Sequence, residues 1–189
     1  MHIPVLVNEV LEYLAPKPGQ KFIDATIDGG GHAMAILEKL TPNGKLLGIE
    51  WDNELLKQLE PKVKSLKFKE NIILINDSYI NLKKIAEEND FVNADGILFD
   101  LGMSSWHIDE AGRGFSFQKD ESLDMRFAHN KLAVNSKQLT AEEIINRYSY
   151  DELVKILKEY GEERFAKSIA AHIVKARKEK LIRTTLELV

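Results

Sequence analysis

Four short apolar runs alternate with segments of helical periodicity through the first two thirds of the chain, and few folds accommodate that order. The runs cover 21–26, 45–50, 71–76 and 96–100 and are rich in Ile, Leu or Phe. Runs of this length suit strands buried on both faces of a parallel sheet. Between them, 32–40 carries Ala33, Ile36, Leu37 and Leu40 on one helical face. Likewise 53–66 carries Leu55, Leu56, Leu59 and Val63, and 79–88 carries Leu82, Ile85 and Ala86. Strand, helix, strand, helix at this spacing predicts right-handed βαβ units. The expected fold is α/β, a Rossmann-like sheet of about four parallel strands. A helix over 5–14, stopped by Pro16 and Pro18, leads into it.

After Asp100 the pattern changes. Residues 101–127 are rich in Gly, Ser, Asp and aromatics and show no clear period, as in a long functional loop. From Thr140 onward the chain reads as helical. Thr140-x-x-Glu143 and Ser149-x-x-Glu152 have the form of capping boxes, in which side chains satisfy the free N–H groups of a helix start. Gly161 marks a break, and Phe165, Ile169, Ile173 and Ala176 mark one face of a last helix. The expected division is a sheet part over 1–130 and a helical part over 131–189.

The 189 residues are 44% hydrophobic and 30% charged, the balance of a folded globular chain. The absence of cysteine excludes disulfides, thiolate nucleophiles and cysteine zinc sites. The five histidines have no metal-ligand spacing, so no metal is expected. No apolar run approaches the roughly 20 residues needed to cross a membrane. The N-terminus lacks the pattern of a secretory signal, so a cytoplasmic location is expected. The net charge is −4. From Gly161 onward, seven Lys/Arg stand against four Asp/Glu. This local basicity is either a solvated helix face or a contact to RNA backbone through Lys175, Arg177, Lys178 and Lys180.

The chemistry concentrates where strands turn into helices. Asp24-Ala-Thr-Ile-Asp28-Gly29-Gly30-Gly31-His32 joins the first strand to the first crossover helix. Glycines there permit either close approach of a ligand to backbone or merely tight packing. Glu50 ends the second strand, about 20 residues on, where an acidic side chain accepts the hydroxyls of a ribose. Asp52 reads as a helix N-cap. Tyr79, after the third strand, is suited to stacking on an adenine, and Asp77 either accepts from its amino group or caps the next helix. Asp100 ends the fourth strand. Asp28 beside the glycines opposes a pyrophosphate, which favours a helix start free of negative charge. Asp24, Asp28 and Asp100 favour a cationic nucleoside instead, and S-adenosylmethionine combines a sulfonium with an ammonium group.

Together with blocks further on, these residues resemble the bacterial 16S ribosomal RNA cytosine-N4 methyltransferase family. The blocks are His2-Ile-Pro-Val-Leu, Asp24-Ala-Thr with Gly-Gly-His32, and Asp95-Gly-Ile-Leu-Phe-Asp100-Leu-Gly-Met-Ser-Ser105. They continue with Arg113-Gly-Phe-Ser-Phe117, Leu123-Asp-Met-Arg126 and Tyr160-Gly-Glu-Glu-Arg-Phe-Ala-Lys167. The resemblance implies S-adenosylmethionine contacts at Gly30, Gly31, His32, Glu50, Tyr79, Asp100 and His107. It implies 16S ribosomal RNA in the small subunit as partner, and a helical domain inserted into the methyltransferase fold. Asp28 stands where a glycine is usual and Trp106-His107 where a Pro-Gln pair is usual. By this likeness the chain stops within the helical insertion, as a truncated form would.

For the reaction, the cytosine amino nitrogen needs a polar acceptor, and Asp100 or a backbone carbonyl over 101–104 lies in the right region. Phe115 and Phe117 are either aromatic surfaces for a flipped base or loop anchors, with Arg113 and Arg126 for phosphates or base edges. His129 and His172 read as surface or packing residues. The competing readings are a nicotinamide-dependent Rossmann enzyme and a catalytically incomplete module that binds cofactor or RNA only. In the second, an exposed strand edge favours a homodimer.

Overall fold

The four apolar runs pair into one parallel sheet in the computed structural model, which describes residues 4–127 and 138–189. Strands β1 (Lys21–Asp24), β2 (Lys45–Glu50), β3 (Ile72–Asn76) and β4 (Gly96–Leu98) lie in the order β3-β2-β1-β4. Asp24 pairs with Gly48 of β2 and Leu98 of β4, and Glu50 pairs with Asn76 of β3. The carboxyl ends of all four strands therefore share one edge. The chain order reverses between β1 and β4, which is where open α/β sheets hold ligands.

Alternation along the strands decides what each face buries. Phe22 and Leu46 pack on α2 (Gly31–Leu40) and α3 (Asn53–Lys64), through Ala33, Ile36, Leu37, Leu40, Leu59 and Val63. Val10, Leu11 and Leu14 of α1 (Val7–Leu14) join that core. Ile23, Leu47 and Ile49 face the other way, onto Ile85 and Ala86 of α4 (Leu82–Glu88) and onto Phe91. The helical faces expected from spacing are the buried faces found. A 3₁₀ turn over Tyr79–Asn81 precedes α4, so the expected single helix from residue 79 starts in two steps.

The described residues divide into two compact units, 4–104 on one hand and 105–127 with 138–189 on the other. The stretch 105–127, grouped with the sheet in the sequence, makes its contacts with the helical unit. It holds the short α5 (Ser105–Asp109), and Ser122 forms an antiparallel bridge with Thr184. Helices α6 (Ala141–Arg147), α7 (Tyr150–Glu159), α8 (Ala166–Ala176) and α9 (Thr185–Leu188) complete the unit. Its core is Leu123, Leu153, Ala170, Ile173 and Ile182.

Both capping boxes are present, on α6 and α7. On α8 the buried positions are Ala166, Ala170 and Ile173. Phe165, expected on that face, is instead the N-cap residue and is 68% exposed. Among the described residues no helix is long and apolar enough to cross a membrane.

Candidate functional site

The turn from β1 into α2 is closed by Gly30 N–H donating to Ile27 O at 2.8 Å. Asp28 takes φ 51° in this turn, a left-handed value that Asp tolerates better than most residues. Asp28 therefore keeps the turn, with some strain. Gly30 has φ 82°, and a Cβ there would lie 2.6 Å from Leu59 Cδ1. A Cβ on Gly31 would lie 2.6 Å from Pro4 Cγ. These two glycines are thus pressed against the protein's own core and N-terminal segment. A Cβ on Gly29 would meet nothing within 4 Å, so Gly29 presents the open side of the turn. Spacing alone did not distinguish it from its neighbours; only the packing on either side does.

His32 opens α2 and is buried. Its Nε2 lies 2.8 Å from Val5 O, and its Nδ1 lies 3.8 Å from Asp100 Oδ2. Pro4 and Val5, the described end of the opening block, therefore cover the start of α2; His2 and Ile3 lie outside the described residues. The Asp100 side chain is exposed, and its backbone N–H donates to Thr26 Oγ1 at 2.7 Å. Thr26 carries no weight in the sequence, yet it ties the end of β4 to the end of β1.

Asp24 is 1% exposed, and its carboxylate accepts from Thr26 N–H at 3.2 Å. Burial pushes its pKa up to about 7, against the Thr26 N–H and the nearby His32, with Asp28 and Asp100 adding to the rise. Glu50 is also buried, and its pKa is likewise about 7. Burial is again the main cause, opposed first by the Asp52 N–H. The Glu50 carboxylate accepts from Asp28 N–H at 3.0 Å and from Asp52 N–H at 2.7 Å. Asp52 in turn accepts from Glu54 N–H at 2.9 Å and caps α3, as expected.

Asp77 Oδ1 accepts from Ser78 N–H and from Asn81 Nδ2, so it secures the start of the 3₁₀ turn. Tyr79 follows β3 and Phe99 follows β4, the two outer strands. Their rings nevertheless meet edge to face, 5.9 Å apart at 88°. The contact spans the ends of β1 and β2, and both residues stay partly open, at 42% and 43% exposure. In the sequence nothing sets Phe99 apart, because a strand-end Phe reads as core.

Gly30, Gly31, His32, Glu50, Tyr79 and Asp100 thus lie on one sheet edge of the first unit. His107 belongs to the second unit. It is buried among Trp106, Phe115 and Phe127, with ring centroids 5.3, 5.9 and 4.9 Å away. Arg113 is buried as well, its Nη1 donating to Phe127 O at 2.6 Å and its guanidinium 5.3 Å from the Trp106 ring. Arg126 forms a two-pronged pair with Asp124 at 2.6 and 2.8 Å. Both arginines, expected at phosphates or base edges, hold the 105–127 segment together. Phe115 is an anchor in the aromatic cluster, whereas Phe117 is exposed. His172 sits exposed on α8, and His129 lies outside the described residues.

The match to one protein family runs along the full length. The model of the MraW methylase family matches residues 1–189. A ribosomal RNA small subunit methyltransferase H from Clostridium botulinum (strain Kyoto) is 43% identical over 188 residues, covering 100% of this chain and 58% of its own length. One from Lachnospira eligens is 40% identical over 187 residues, covering 99% of this chain and 57% of its own length. Among solved structures, an rRNA methylase from Streptococcus thermophilus is 20% identical, with a TM-score of 0.38, covering 45% of this chain and 50% of that one. This chain spans less than two thirds of the length of those methyltransferase H relatives. With its family matched from end to end, the chain belongs to the MraW methylase family.

Proposed function

We propose that the first unit binds S-adenosylmethionine at the carboxyl edge of its sheet, and that the protein methylates the N4 amino group of a cytidine in 16S ribosomal RNA of the small subunit, in the cytoplasm. One observation carries the reading. Asp24, Asp28, Glu50 and Asp100 converge on a single edge, beside a glycine turn whose outer side is open. That donor set fits the cofactor: carboxylates suit a cation and a ribose diol, and they do not suit a pyrophosphate. The RNA target is supported by the family and by the relatives' name, and the cytosine N4 position by the motif resemblance.

When bound, the cofactor supplies a methyl group on a positively charged sulfur. The chain's part is to hold, orient and deprotonate. Glu50 accepts ribose hydroxyls. Tyr79, with Phe99 beside it, offers ring surface to the adenine. Gly29 offers open backbone to the methionyl end, backed by Gly30 and Gly31, and His32 turns its Nδ1 toward Asp100 there. The part of His107 rests on its family position alone. Asp100 is exposed enough to meet the target base. A carboxylate accepting from the cytosine amino group localises that nitrogen's lone pair and takes its proton.

Calorimetric titration tests the cofactor, with binding expected for S-adenosylmethionine and none for a nicotinamide dinucleotide. The reverse result overturns the reading. Methyl transfer to small ribosomal subunits tests the reaction. Asp100→Ala is expected to slow it by about 100-fold or more. A near-native rate with normal cofactor affinity would remove Asp100 from its role. Cofactor binding without any transfer would limit the chain to binding.

For RNA backbone, the exposed Lys175 and Lys178 are the proposed contacts. Arg177 instead donates to Ile145 O and Tyr148 O, each at 2.6 Å, and Lys180 pairs with Glu187. Contacts of this kind weaken steeply with salt. Self-association along β4, an outer strand with Ile97 half-exposed, is tested by sedimentation of the chain across concentrations.

A further inference from the structure

We propose that Glu50 is a positioning residue for the glycine turn as well as a ligand group: its carboxylate clasps the Asp28 and Asp52 amides and thereby sets the backbone that meets the ligand at Gly29. The inference rests on the cofactor reading above and adds a second task to one of its residues.

Three connections of the sheet edge meet at Glu50. Its Oε2 accepts from Asp28 N–H in the turn after β1, at 3.0 Å. Its Oε1 accepts from Asp52 N–H in the turn after β2, at 2.7 Å. Its backbone carbonyl accepts from Nδ2 of Asn76, the last residue of β3, at 2.8 Å and from Asp77 N–H in the turn after it at 3.1 Å. A carboxylate that only read a ribose would need none of these partners. Here the side chain is buried, and both of its oxygens already serve the protein's own backbone.

The clasp lies where the turn needs support. Asp28 is the first central residue of the turn closed by Ile27 and Gly30, and it holds φ 51°. A non-glycine residue keeps such a value only when its surroundings determine it. Once Glu50 is ionised, above about pH 7, the hydrogen bond from the Asp28 N–H to it is of the stronger, charge-assisted kind. Gly29, the glycine with open space outside it, is the next residue, so whatever orients Asp28 also orients Gly29. Each carboxylate oxygen has two acceptor directions, and one amide uses only one of them. The second direction remains for a ribose hydroxyl. The same two oxygens can therefore fix the turn and read the sugar.

The test separates the two tasks with probes that do or do not carry the sugar hydroxyls. The probes are S-adenosylhomocysteine and its 2′,3′-dideoxy counterpart. The variants are Glu50→Gln, whose amide group can accept only one of the two N–H groups, and Glu50→Gln with Asp28→Gly, in which glycine adopts positive φ unaided. Without ligand, at least one of the Asp28 and Asp52 amides, the one left facing the Gln NH2 group, should exchange with solvent at least about tenfold faster in Glu50→Gln, the scale of one lost hydrogen bond. The Leu47 and Ile49 amides of β2, in the core of the same unit, serve as the folding reference. The dideoxy probe should bind Glu50→Gln at least about tenfold more weakly than wild type, and the added Asp28→Gly should recover most of that loss.

Unchanged exchange at both Asp28 and Asp52, or equal affinity of wild type and Glu50→Gln for the dideoxy probe, overturns the proposal. If Glu50→Gln unfolds the first unit, the double variant is expected to restore it, and a double variant equally unfolded also overturns the proposal. If wild type binds neither probe, the cofactor reading fails on its own, while the ligand-free exchange rates still decide the clasp.

Discussion

Two buried carboxyls set the pH response of the first unit. Asp24 moves from an ordinary 3.8 to about 7, and Glu50 from 4.5 to about 7, both chiefly through burial. In the window between those ordinary values and about 7, the unfolded chain has released protons that the folded chain keeps. The folded state binds more protons there, so stability is fully present below the ordinary values and falls as pH rises. The steepest slope is about 1.4 kcal/mol per pH unit for each group. Asp24→Asn keeps an oxygen for the Thr26 N–H and removes one titration. Urea midpoints between pH 4.5 and 7.5 should therefore decline less in this variant than in wild type, and equal declines would refute the assignment. Asp24 was legible in sequence as an acid at a strand end, but its proton was not, because that depends on packing. Arg113 shows the same limit in reverse. An arginine in an irregular, aromatic-rich stretch reads as a nucleic-acid contact until its donors are traced to the carbonyls of its own loop.

At the scale of elements, the glycine turn separates into parts with opposite tasks. Gly30→Ala places a Cβ 2.6 Å from Leu59 Cδ1 at φ 82°, so crowding and backbone strain add. A loss of about 2–4 kcal/mol is expected in denaturant unfolding. Gly29→Ala meets nothing within 4 Å and should shift stability by less than about 0.5 kcal/mol, while weakening S-adenosylmethionine binding. A stable Gly30→Ala, or a Gly29→Ala with unchanged affinity, would contradict this division. Helix starts were the most legible elements, because a capping box is a local device. At α7, Ser149 Oγ accepts from Glu152 N–H at 3.3 Å, and Glu152 Oε2 accepts from Ser149 N–H at 2.8 Å. Ser149→Ala should cost about 1 kcal/mol, measured by thermal or urea unfolding of the second unit. Strand interiors were equally plain. The apolar-then-acidic pattern of β4 runs on through Phe99 and Asp100, but these two leave the ladder, where Thr26 receives the Asp100 amide.

At the scale of the whole molecule, the two units have separate cores, one pair on the faces of the sheet and one among the helices. The grouping of 105–127 with the helices was hidden in the sequence. It depends on long-range contacts, such as Leu123 N–H to Arg183 O and Thr185 N–H to Glu121 O, that no local period announces. Separate cores imply separate opening. The residues gathered at the sheet edge belong to the first unit, so a cofactor held there stabilises that unit by mass action. At a ligand concentration about 100 times Kd the gain is about 2.7 kcal/mol, or roughly 100-fold slower exchange of amides that open only with the sheet. The Leu47 and Ile49 amides should show that slowing with S-adenosylhomocysteine. The Leu153 and Ala170 amides should exchange as before, because ligand energy reaches only what unfolds with the site. Equal slowing in both sets would mean that the chain opens as one body, and slowing confined to the helices would move the binding site away from the carboxylate edge altogether.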